Sequence, residues 1–268
     1  MKIYVITHKE FQPVMDNSCY VPMLVGANKN VGKENYIKDN SEIDNISDLN
    51  SSFCEMTGAY WMWKHSTEDI VGLAHYRRYF IDKATFFNKA SRIISEEKVE
   101  EILHSYDMIL SERSDSDFKG MTAKEYFYEK HDKVVWENLR EIIAKDYPDF
   151  LEDFEWFENQ KSGYICNMFI SKKAIFNDYS EWAFDILFKL HDLIDYSKYD
   201  NYNTRMIGFV AERIFNVWIR HQVRTNSFRV KELPIYLTDN IVKLYYLYYK
   251  RVFSQKLSLL FKKKLKNQ

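Results

Sequence analysis

The sequence predicts an α/β domain with a mainly helical C-terminal part, and three stretches carry that prediction. The opening run KIYVIT has the length and β-branched content of a buried strand. The stretch from Ser51 to Phe80 reads as one helix feeding one buried strand, IVGLA, that ends in a cationic cluster. A long apolar stripe at helical spacing then occupies Arg205 to His221. At 268 residues the chain can bury a full core. It is read as one domain, residues 1–240, followed by a basic tail, residues 241–268.

The first strand, Lys2 to Thr7, opens at Thr7, His8 and Lys9. In open α/β sheets ligands sit beyond the carboxyl ends of strands, so His8 and Lys9 either meet a ligand or are simply exposed. Tyr20 to Val25 follows as a short strand or turn, and Gly26 allows close backbone approach. Residues Asn28 to Asn50 are polar and without period, hence loop; in it Asp44 and Asn45 read as turn formers. Ser52 and Glu55 have capping-box spacing, which starts a helix near Phe53. Phe53, Met56, Tyr60 and Trp63 then line one apolar face.

The strand Ile70 to Ala74 stops at His75, and His75, Tyr76, Arg77, Arg78, Tyr79 and Phe80 follow. Two guanidiniums and an imidazole are forked donors suited to an anion, and the tyrosines add a stacking face and a hydroxyl. The alternative is pairing of the arginines with surface acids. Adjacent residues of a strand point to opposite faces, so Arg77 and Arg78 can serve one anion only if the strand has ended.

Farther on, a helix is expected over Ser95 to His104 and a strand over Tyr106 to Leu110. Asp115 and Asp117 then have D-x-D spacing, but in a Ser-rich loop, and are read as a solvated acidic loop rather than a metal site. A helix carrying Tyr126 and His131 runs to Asp146, where Tyr147, Pro148 and Asp149 end it. Tyr164 to Ile170 is expected as a strand interrupted by Asn167, which either holds a substrate hydroxyl or ties two backbones together. On the helix Arg205 to His221, Arg205, Gly208 and Glu212 share one face, with Gly208 opening room beside the carboxylate. Glu212 is the candidate general base, and an ion pair with Arg213 is its plain alternative. A strand over Phe228 to Ile235 closes the domain.

The strings THKEF, DNISDLN, FCEMTGAYWMWKH, VGLAHYRRYF, Tyr126 with His131, NMFISKK and GFVAERIFNVW occur in this order between Ile3 and Pro234. Together they resemble a bacterial polysaccharide-biosynthesis glycosyltransferase family long catalogued as a domain of unknown function, some of whose members are assigned as galactofuranosyltransferases. The resemblance implies a GT-A-like, Rossmann-type nucleotide-sugar fold, which composition alone would not show. The reaction expected on that fold is transfer of a sugar from a UDP-sugar to a hydroxyl of a lipid-linked glycan, with inversion. Arg77, Arg78 and His75 would hold the diphosphate in place of a metal, with Thr7, His8, Lys9, Gly26 and Tyr76 on the donor side. Asp44 and Asn45 become sugar or ribose contacts. His131, Asn167 and Arg205 fall on the acceptor side, and Glu212 would take the acceptor's proton. A retaining enzyme, a non-catalytic sugar- or nucleotide-binding module and a membrane-docked assembly factor are the competing readings.

Composition narrows this further. Seven glycines include neither a G-x-G-x-x-G nor a Walker pattern, so any phosphate must be held by side chains. Three scattered cysteines indicate neither a disulfide framework nor a zinc site, as in a reducing cytoplasm, and no tightly bound cofactor is expected. The N-terminal apolar run is too short for a signal peptide or a membrane span. The segment from Lys243 to Gln268 carries eight Lys or Arg and no acid, and the remainder holds 30 basic against 39 acidic side chains. Such a tail docks on anionic membrane surfaces and places the protein at the inner face of the cell membrane. Nucleic acid does not suit an acidic body.

Overall fold

Nine strands and eight α-helices are ordered around one twisted sheet in a computed structural model, which describes residues 1–13, 19–83, 92–115 and 118–238. The strands are β1 Lys2–Thr7, β2 Tyr20–Leu24, β3 Ile37–Lys38, β4 Ile70–His75, β5 Arg78–Phe80, β6 Met108–Ser111, β7 Phe169–Lys172, β8 Val230–Leu233 and β9 Ile235–Leu237. The helices are α1 Asn50–Phe53, α2 Met56–His65, α3 Glu96–Ser105, α4 Ala123–Lys130, α5 Lys133–Asp146, α6 Leu151–Glu158, α7 Lys173–Asp192 and α8 Met206–Thr225. The main path of the sheet runs β3-β2-β1-β4-β7-β6-β8.

Strand β1 pairs in parallel with β2 on one side and β4 on the other, whereas β7 runs antiparallel to both of its neighbours. The chain therefore moves outward from β1 to β2 and β3, then returns through α1 and α2 to β4 on the opposite side of β1. This reversal creates a switch point between the ends of β1 and β4, where an α/β sheet opens a crevice. Because β7 is reversed, the turn leading into it arrives at that same end.

Alternation along β1 divides the core. Tyr4 and Ile6 join the apolar cluster with Met62, Phe169, Phe215 and Trp218, under α2, α7 and α8, while Ile3 and Val5 join Phe80, Val99 and Ile109 under α3 and β5. Both faces are covered, which is why these strands read as unbroken apolar runs.

Several expectations are corrected. The Ser52/Glu55 capping box does not form: the helix has already begun at Asn50 and breaks at Cys54, whose φ of 52° no α-helix continues through. The Ser52 hydroxyl donates to the Leu49 carbonyl, and Glu55 turns elsewhere. A capping box does occur at Thr122 and Glu125, at the start of α4. The helix expected through Asp146 is two, since His131 is extended and Asp132 caps α5. The strand expected from Tyr164 starts only at Phe169, because Cys166 and Asn167 have φ of 70° and 48°. Pro234 divides the last strand into β8 and β9, and β9 pairs with the unforeseen β5. The tail and Asp117 lie outside the described residues.

Candidate functional site

At the switch point β4 ends with His75, Tyr76 and Arg77 make a two-residue turn, and Arg78 opens β5 opposite His75. The strand has ended before Arg77, so the two guanidiniums escape strand alternation. The turn is pinned to β1 by the Tyr76 amide donating to the Ile6 carbonyl at 3.1 Å. Thr7, buried at the end of β1, donates its hydroxyl to the Lys9 carbonyl at 2.6 Å and so folds His8 and Lys9 over the turn. Tyr76 becomes a common platform. The His8 ring meets it edge-on at 5.7 Å, the Lys9 ammonium lies 5.7 Å from its centroid and the Arg77 guanidinium 4.8 Å.

The electrostatics follow from this crowding. Burial, then Lys9, Arg77 and Arg205, hold the His8 imidazole below its ordinary range. Burial and Arg78 push His75 down to about 4, so it is neutral near pH 7. Its Nε2, 2.7 Å from the Cys166 carbonyl, must then carry the proton and donate. Arg205, just ahead of α8, bonds through Nε to Cys54 Sγ at 3.3 Å and stacks over Phe209 at 5.3 Å. Lys9, Arg77, Arg78 and Arg205 thus surround one region whose two histidines stay uncharged, a surplus of positive charge suited to an anion.

Two carboxylates border it. Glu212 Oε1 accepts from the Cys166 amide at 3.1 Å and Oε2 pairs with Arg213 Nη1 at 2.7 Å, so the ion pair anticipated for it is present and it also braces the turn before β7. Glu55, at the break between α1 and α2, accepts from Asn167 Nδ2 at 3.0 Å, and burial raises its carboxyl above the ordinary range. Asn167 is buried and ties no two backbones together. Gly208 does not open room beside Glu212: a Cβ there would lie 2.9 Å from Cys54 Sγ, so this glycine lets the α1–α2 break pack on α8.

Other predicted residues are placed elsewhere. Asp44 accepts from the Tyr60 hydroxyl at 2.8 Å and its carbonyl from His65 Nε2 at 2.6 Å, contacts along α2 that lead away from Glu55. Asn45 closes a local turn by accepting from the Ser47 amide at 3.1 Å. Gly26, with φ of 61°, turns the chain after β2; the buried Asp39 carboxylate accepts from the Gly26 and Ala27 amides and from the Ser47 and Thr57 hydroxyls. His131 is buried against Phe209 at 4.4 Å, bonded to Asn203 and pushed down to about 4 by burial, one ring removed from Arg205. Among the described residues no three His, Cys, Asp or Glu side chains converge as metal ligands.

Sequence reasoning missed Cys54 and Glu55 as site residues, because the S-x-x-E spacing supplied a sufficient local explanation. It also missed Asp39, a single acid in a loop with no pattern around it.

Comparison with known proteins places the fold. The family described as Domain of unknown function (DUF4422) matches residues 2–223. Among solved structures, the WbbM bifunctional glycosyltransferase in its apo form superposes with a TM-score of 0.80 at 30% sequence identity. The match covers 89% of this chain and 45% of that one, so the chain spans less than half the length of that protein. No curated protein matches.

Proposed function

The chain belongs to the DUF4422 family, and from that premise we propose that it is a glycosyltransferase, moving a sugar from a UDP-sugar donor to a hydroxyl of a lipid-linked glycan in bacterial surface polysaccharide synthesis. One observation supports this above the others: a cluster of cations around neutral histidines at the switch point of a sheet that superposes on a bifunctional glycosyltransferase. As the glycosidic bond breaks, charge builds on the leaving diphosphate. Arg77 and Arg78, fixed by a two-residue turn, meet it as preorganised donors, each worth on the order of 10²- to 10³-fold in rate. His8, being neutral, adds a donor without adding charge, while His75 spends its one N–H on the Cys166 carbonyl and fixes the turn before β7 beside the cations. Arg205 and Asn167 face the acceptor side.

Galactofuranose is the first donor sugar to test, with inversion of the anomeric centre, and the basic tail brings the enzyme to its lipid-linked acceptor at the inner face of the membrane. No helix among the described residues is long and apolar enough to cross a membrane. In this reading the guanidiniums do the work for which many enzymes of this type use a divalent cation. Purified protein is screened by mass spectrometry against nucleotide sugars, UDP-galactofuranose included, with and without EDTA. Transfer that persists in EDTA is expected. Loss of turnover in EDTA contradicts the metal-free arrangement, and neither transfer nor hydrolysis of any donor contradicts the enzyme reading.

A further inference from the structure

Five non-glycine residues among those described have positive φ, and three of them surround one carboxyl group. Cys54 (52°) immediately precedes Glu55; Asn167 (48°) bonds to it, and Cys166 (70°) is the residue before Asn167. Such backbone conformations persist only where surrounding structure enforces them, and they gather at functional sites. The enforcing contacts are specific. His75 donates to the Cys166 carbonyl, Glu212 accepts from the Cys166 amide, and Arg205 holds Cys54. Asn167 is 1% exposed, and its Oδ1 has no hydrogen-bond partner. The Tyr179 hydroxyl of α7, whose electrostatic neighbour is Glu55, is likewise buried without one. Buried polar groups are almost always satisfied, so orphans beside a carboxyl whose neighbours are strained mark a place where another molecule's polar atom belongs.

We propose that Glu55 is the proton acceptor for the attacking hydroxyl, and that Asn167 is the positioning residue that aims its carboxylate. This deepens the glycosyl-transfer reading and rests on it. The acceptor hydroxyl gives its proton to Glu55 as its oxygen bonds to the anomeric carbon. The bond from that carbon to the diphosphate oxygen breaks, and its electron pair leaves on the diphosphate beside Arg77 and Arg78. Glu212 is the less suitable base, since its two oxygens are held by a backbone amide and a guanidinium.

The groups facing Glu55 are Arg205 ahead of α8, Arg78 on β5, the Asn167 amide before β7, the Tyr179 hydroxyl on α7 and the Cys54 thiol beside it, itself pushed up to about 11 by burial. Burial outweighs the hydrogen bonds from its own amide and from Asn167, together with the two arginines, and raises the carboxyl. A base with a raised pKa pulls harder on a hydroxyl proton, provided the medium keeps it ionised.

The test uses the full chain, UDP as binding probe, and a turnover panel of UDP-galactofuranose, UDP-galactose, UDP-glucose and UDP-N-acetylglucosamine with an octyl galactoside acceptor. Glu55→Gln should bind UDP within about twofold of wild type while kcat falls about 10²- to 10⁴-fold. Glu55→Asp, which keeps a carboxylate, should recover part of the loss and shows that the site still folds. Asn167→Asp, tolerated at this φ, puts a second carboxylate beside Glu55 and should move the acidic limb of the kcat profile to higher pH. The proposal is overturned if Glu55→Gln keeps kcat within tenfold, if it loses UDP binding instead, or if Asn167→Asp leaves the acidic limb in place. Wild type that binds UDP but turns over none of the panel overturns the glycosyl-transfer reading itself, an outcome distinct from the three above.

Discussion

Replacing Gly208 by alanine probes how tightly the candidate site is held from behind. The added Cβ would sit 2.9 Å from Cys54 Sγ and 3.0 Å from Cys54 Cβ. Comfortable contacts between such atoms lie at about 3.5–4.0 Å, so one side must yield by about 0.6 Å. The position is buried in the first turn of α8, a 20-residue helix packed against α6 and α7, which leaves the α1–α2 break to move. Overpacking of this kind destabilises by about 1–3 kcal/mol. The displaced segment carries Glu55, and shifts near 1 Å in a reacting group can cost about 10²-fold in rate. Gly208→Ala should therefore lower the urea midpoint and reduce transfer by about 10-fold or more, with UDP affinity unchanged. Cys54→Gly removes both clashing atoms and suits the positive φ, so in the Gly208→Ala background it should restore most of the lost stability. A double variant no more stable than Gly208→Ala, or a single variant with wild-type stability and turnover, would refute the packing argument.

Two further outcomes follow from the charges. His75 titrates near 4 in the folded chain and near 6.5 when unfolded, so unfolding binds a proton between those values and stability is lost as pH falls through that window. His75→Gln, which cannot take up that proton, should flatten the slope of unfolding free energy against pH by up to about 1.4 kcal/mol per pH unit between pH 4.5 and 6; an unchanged slope counts against a neutral His75. For the tail, truncation after Asn240 should release the protein from anionic liposomes and leave turnover on a soluble acceptor intact, and liposome binding retained by the truncated chain argues against tail docking.

The sheet was legible wherever burial on both faces left an unbroken apolar run, as in β1 and β4, because that pattern depends on local sequence alone. That the residues after β1 and β4 lie together at one end of the sheet was legible for the same reason: where an apolar run stops at His8 or His75, the next residues must sit at the sheet's mouth. What escaped were positions fixed by distant partners. Cys54, Cys166 and Asn167 adopt backbone angles their own sequences do not favour, held there by His75, Arg205 and Glu212 from other elements. Glu55 shows the consequence, since its spacing from Ser52 predicts a helix cap while its side chain reaches Asn167, 112 positions along the chain. Gly208 was misread in the same way: its spacing on α8 was visible, but not that Cys54 fills the space it leaves.

The central claim is that side-chain cations at the β4–β5 turn grip a pyrophosphate, and calorimetric titration of UDP in EDTA tests it most directly. Wild type should bind under those conditions, and Arg77→Ala and Arg78→Ala should each weaken binding by about 10-fold or more, as expected when a charged hydrogen bond worth about 1.5–3 kcal/mol is removed. Equal affinity in all three proteins, or binding by wild type only when a divalent cation is returned, would contradict it.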